Sequence, residues 1–114
     1  MSEFLLCFRD THWAKRLSPE EIQTVTTQWI VWMERLRKEG KNLDSRPLEP
    51  DRNLIFKKNG ITLTRRIVTG PKRTISGYLL LRVERLTEAV AIAKTCPILD
   101  YGSTIVIQPV ARIE

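Results

Sequence analysis

The sequence predicts an α+β fold, with two helices packed on one face of an antiparallel sheet. Three observations predict it. Apolar runs of strand length lie at the start, middle and end of the chain, at residues 3–9 (EFLLCFR), 77–84 (GYLLLRVE) and 103–113 (STIVIQPVARI). Two segments between them carry apolar residues at helical spacing. Between the helices, two β-rich runs flank an Asn-Gly pair, the strongest short signal for a hairpin. The 114 residues fit a single domain, 1–114.

The elements follow in order. After the first strand, residues 10–17 form a polar connection that contains His12 and Trp13. Ser18 then caps a helix, with Pro19 at its first position and Glu21 completing a capping box. Ile22, Val25, Trp29, Trp32/Met33 and Leu36 mark its apolar stripe, and Gly40 ends it. Residues 41–52 hold Pro47, Pro50 and three acids and read as loop. The hairpin NLIFKKNGITLTRRIV turns at Lys58-Asn59-Gly60. A basic turn, VTGPKRTISGY, leads to the central strand. The second helix starts at Leu86-Thr87-Glu88 with Thr87 as its cap. It buries Ala89, Val90, Ile92, Ala93 and Cys96, and Pro97 ends it. Pro109 marks the last strand as an edge or a bulge. Strand, helix, hairpin or strand pair, helix, strand is the order of a ferredoxin-like βαββαβ sandwich.

Two helices cover only one face of such a sheet, yet both faces read apolar. Phe4, Leu6 and Phe8 alternate with Leu5 and Cys7, and Leu79, Leu81 and Val83 with Tyr78 and Leu80. Ile105 and Ile107 alternate with Val106 and Val110. The second face needs cover. A second copy packed sheet against sheet, as a homodimer, would supply it. The long stretch 41–52 is the alternative cover.

The formal net charge of +6 suits a polyanion partner. The basic residues are dispersed, however, at 15–16, 35–41, 57–58, 65–66 and 72–73, as on a solvated surface. The strand SGYLLLRV is similar to the ribonucleoprotein motif of RNA-recognition domains, but leucines stand where that module stacks aromatics on bases. Nucleic acid is therefore not the expected partner. Cys7 and Cys96 have no metal-ligand spacing and read as core thiols in a reducing, cytoplasmic setting. The N-terminal apolar run is too short for a signal peptide or a membrane span. Walker and dinucleotide patterns are absent, so no cofactor is expected.

Few residues carry legible chemistry. His12, the one histidine, lies two residues from Asp10 and is the only catalytic candidate. Trp29, Trp32 and Met33 sit on the helical stripe and read first as core, while Trp13 lies off it. Arg65 and Arg66 face opposite sides of their strand, so at most one of them points toward a pocket. With Lys72 and Arg73 it offers charge-assisted bonds to a small anion.

The stretches FLLCFRDTHWAKRLSPEEIQ, WMERLRKEGK, RPLEP and GYLLLRVERLTEAVAIAKTCPILDYGSTIVIQPV span nearly the whole chain. Through them the chain resembles the YCII-related, or DGPF-domain, family of small bacterial proteins. The resemblance implies a dimeric α+β barrel with a cleft beside the sheet, built in relatives around a His–Asp pair. It implies no settled reaction. In place of Asp-Gly-Pro-Phe this chain has Thr69-Gly70-Pro71 running straight into Lys72, and Gln28-Trp29 stand where the paired histidine would be. A threonine can bond a ligand but is no base near neutral pH. The expected pocket residues are Arg9, Trp13, Trp32, Arg66, Thr69, Lys72, Arg73, Tyr78 and Tyr101, with His12 nearby. The expected function is binding of a small anionic or aromatic molecule, with cofactor-independent catalysis left open. The alternative is a regulatory or nucleic-acid-binding module with a vestigial site.

Overall fold

The computed structural model describes residues 2–9, 15–48, 54–55, 64–65 and 75–112. The first strand, β1, spans Ser2–Arg9 and the first helix, α1, spans Pro19–Lys38. Strand β2 is Asn42–Pro47, and the short strands β3 and β4 are Leu54–Ile55 and Thr64–Arg65. The central strand β5 covers Ile75–Val83, helix α2 Leu86–Lys94 and the last strand β6 Thr104–Pro109. A 3₁₀ turn at Pro97–Tyr101 joins α2 to β6.

The main sheet has the order β2-β5-β1-β6 and every described pairing in it is antiparallel. This is the ferredoxin-like arrangement expected from the sequence. Its second strand, however, is not the hairpin. It is β2, drawn from the stretch read as loop. The hairpin forms a separate two-stranded sheet, and its pairs Leu54↔Arg65 and Ile55↔Thr64 are symmetric about positions 59 and 60. Strand β2 escapes sequence reading because NLDSRP has no apolar alternation. A register shift between Asn42 and Asp44 further breaks its period. It is an edge strand, and its charges and terminal Pro47 suit an edge that must resist further pairing. Strand β6, which carries Pro109 at its end, is the other edge.

Helix α1 begins as its sequence dictates. The Ser18 hydroxyl accepts from the Glu21 backbone N–H at 3.2 Å, and the Glu21 carboxylate accepts from the Ser18 N–H at 3.1 Å. That bond to the Ser18 backbone holds the Glu21 carboxyl below its ordinary range. Ser18→Ala is expected to cost about 1 kcal/mol of stability, read from urea unfolding. At the other end Gly40 takes φ 72°, where its N–H reaches the Arg37 carbonyl and that of Lys41 reaches Leu36. These two bonds make a Schellman closure. Helix α2 differs from expectation by two residues. Its N-cap is Arg85, not Thr87, and it has no side-chain cap. Only Glu84 and Arg85 separate β5 from α2, and the Arg85 carbonyl already accepts from Glu88 and Ala89. Thr87 is thus inside the first turn.

The core lies between the helices and one sheet face. Leu6, Leu79, Leu81 and Val25 are fully buried, and Phe4, Phe8 and Val83 complete the strand contribution. Trp32 and Leu36 come from α1, and Ala89 and Ala93 from α2. Burying each large apolar side chain contributes about 1.5–3 kcal/mol. On the other face, Leu5, Leu80 and Val106 remain partly exposed and Cys7 is nearly covered. Among the described residues no helix is long and apolar enough to cross a membrane.

Candidate functional site: a groove between the first helix and the edge strand

Helix α1 carries two adjoining stripes. Val25, Trp32 and Leu36 go into the core, with Trp29 packed against it. Thr26, Ile30, Met33, Glu34 and Arg37 lie one position further round and face a groove of about 580 Å³. The opposite wall is β2, through Asn42, Ser45, Arg46 and Pro47. Phe8, Gly77 and Ile98 lie between the walls. The volume is within the range of small-molecule sites.

Register explains the wall. Ser45 pairs with Leu79, Pro47 with Gly77 and Asn42 with Leu81. Leu79 and Leu81 are core residues of the helix-side face, so these β2 residues share it. Asp44 and Arg46 pair with Leu80 and Tyr78 in the register of the outer face, and at this sheet edge Arg46 and Tyr78 also reach the groove. Gly77 keeps the groove open. A Cβ there would stand 3.1 Å from the Arg46 carbonyl oxygen and 3.9 Å from the Phe8 ring. The aromatic floor is rigid. Trp29 meets Phe8 edge-on at 5.1 Å and 78°, and Trp32 at 5.5 Å. Among the described residues the arginines that line the groove have acidic partners. Arg37 is held by Glu34 at 2.8 Å, and Arg46 by Asp44 at 3.6 Å.

Of the expected pocket residues that are described, Tyr78 is the one among the groove's lining residues. Its hydroxyl donates to Asp44 at 2.7 Å, and that bond raises its pKa above the ordinary value. Trp32 lies in the core instead, where its indole N–H donates to the Thr95 hydroxyl at 2.8 Å. Tyr101 packs against the core from the 3₁₀ turn. Arg9 ends β1 opposite Ile75 and Thr104. His12, Trp13, Arg66, Thr69, Lys72 and Arg73 lie outside the described residues. Ser45 and Asn42 gave no sequence signal, because their strand gave none. The second stripe of α1, Thr26, Ile30, Met33 and Arg37, was not read from the sequence, which placed Met33 on the core stripe; its signal is the same helical spacing one step round.

Cys7 and Cys96 are both free and buried. Burial pushes the Cys96 thiol up to about 11 from an ordinary value of 9.0. An unfolded thiol therefore ionises before the folded one. Its contribution to stability is full below pH 9 and is lost as pH rises toward 11. Native protein is expected to leave Cys96 unalkylated by iodoacetamide at pH 7.5, with reaction only on unfolding, read by mass spectrometry. Among the described residues no three His, Cys, Asp or Glu side chains cluster to hold a metal ion.

Fold and groove together define a ferredoxin-like α+β domain with an open site beside its sheet. No protein-family model matches the chain. No curated protein matches it either. Among solved structures the chain is similar to 5-chloro-2-hydroxyhydroquinone dehydrochlorinase from Burkholderia phenoliruptrix AC1100, in complex with 2,5-dihydroxybenzoquinone. The TM-score is 0.51 and the identity 15%, over 96% of this chain and 93% of that one. Such a likeness establishes the shared fold.

Proposed function

We propose that the chain binds a small aromatic or anionic molecule in the groove between α1 and β2. The observation that carries this reading is the groove itself: an opening of about 580 Å³ over a fixed Phe8–Trp29 floor, held open by Gly77. The structural neighbour, a dehydrochlorinase solved with a small ring compound bound, supports the same use of the fold. The proposal places the chain with the YCII-related proteins and assigns His12, Trp13, Arg66, Thr69, Lys72 and Arg73 to the approach to the pocket. It needs no cofactor, and free thiols suit a cytoplasmic setting.

The proposal includes a homodimer through the outer sheet face. Leu5, Leu80, Cys7 and Val106 adjoin there, with Glu3 paired across the strands to Arg82 at one end. Opposite charges beside an apolar centre suit a face that meets its own copy. A polyanion partner is less well supported. Arg37 is paired with Glu34 and Lys41 with Glu39, and the basic last turn of α1 answers the helix dipole.

The test is chemical-shift mapping on the full chain with catechol and benzoate as ring probes. Shifts concentrated on the Trp29 indole N–H and the methyl groups of Ile30 and Met33, saturating with either probe, are expected. Millimolar probe with no saturating shift at these groups would sink the reading.

A further inference from the structure

We infer that the groove selects an uncharged ring bearing hydroxyl or carbonyl oxygens on one edge, and that Ser45 and Asn42 of β2 read that edge. This rests on the groove being a ligand site, and it narrows which ligand. Two contrasts among the lining residues carry it.

The first is charge. Arg37 spends its guanidinium on Glu34, through Nε at 2.9 Å and Nη2 at 2.8 Å. Arg46 lines the groove at the edge strand, and its Nε lies 3.6 Å from Asp44, which also accepts from Tyr78. A ligand carboxylate at Arg37 would stand beside the Glu34 carboxylate and meet its negative charge.

The second is unused neutral hydrogen-bonding capacity. The Ser45 hydroxyl, the Asn42 amide and the Trp29 indole N–H have no hydrogen-bond partner among the described residues. Ser45 and Asn42 stand on one wall and both face the helix side of the sheet. A serine hydroxyl and an asparagine amide each donate and accept. That pairing matches a ligand hydroxyl, which also does both, better than a carboxylate, which only accepts. Trp29 of the floor and Met33 of the opposite wall offer an aromatic surface and a polarisable sulfur to the body of the ring.

The experiment compares catechol with benzoate at pH 7, at low and high salt, on the wild-type chain and on Ser45→Ala. Catechol is expected to bind at least about tenfold tighter than benzoate, with little change on adding salt. Ser45→Ala is expected to weaken catechol about three- to tenfold and to leave benzoate unchanged. Asn42→Ala should act in the same direction. Benzoate binding as tightly as catechol, with affinity falling in salt, would overturn the inference while leaving the groove a ligand site. So would catechol affinity untouched by both substitutions. Absence of groove shifts with both probes would remove the underlying reading and the inference together.

Discussion

With the proposed dimer through the outer sheet face, Leu80→Glu is expected to give a folded monomer, and Leu79→Ala a less stable protein whose assembly is unchanged. The two residues are neighbours on β5 but lie on opposite faces of the sheet. Leu79 is fully buried beneath the helices. Truncating it removes methyl groups from a closed core and leaves a cavity, a cost of about 2–5 kcal/mol. Against a typical total of about 5–15 kcal/mol, that is a large fraction. Leu80 instead pairs with Leu5 on the outer face and is partly exposed. A glutamate there leaves the helix-side core untouched. In a sheet-to-sheet dimer it buries an unpaired carboxylate, and a penalty of about 3 kcal/mol weakens association by about 150-fold. Light scattering after gel filtration reads the mass, and urea unfolding reads the stability. A wild-type protein that is monomeric at high concentration removes the dimer, and Leu80→Glu then changes nothing.

Gly77→Val closes the groove. The new Cβ falls 3.1 Å from the Arg46 carbonyl oxygen and 3.6 Å from the Pro47 Cα. Both are backbone atoms of the edge strand, so β2 must move outward. Two further methyl groups then fill space between Phe8 and Pro47. Overpacking of this kind costs about 1–3 kcal/mol. Ring binding is expected to fall at least about tenfold, and amide protection along β2 to drop while that of β1 holds. Unchanged ring affinity in a folded Gly77→Val protein would place the ligand elsewhere.

Local chemistry made much of the fold legible. The capping box at Ser18 and Glu21, the glycine closure at Gly40 and the apolar runs of β1 and β5 each need only neighbouring residues to act. Strand β2 was not legible, because its stability comes from pairing with β5 rather than from its own composition. Asn42, Asp44, Ser45 and Arg46 are poor strand formers that tertiary context overrides. The groove wall went unread for the same reason. Trp29 shows the limit on the helix side. Its place in the stripe announced burial, but its position between the core stripe and the groove stripe depends on how α1 sits over the sheet. Thr87 failed as a cap because the helix starts earlier, with the Arg85 carbonyl already accepting from Glu88 and Ala89.

The most direct test of the groove as the binding site is an intermolecular nuclear Overhauser measurement on the full chain saturated with catechol. Cross-peaks from the ring protons to the Trp29 side chain, the Met33 methyl and the Ser45 β-protons are the predicted result. Cross-peaks confined to the outer-face methyls of Leu5, Leu80 and Val106 would contradict it.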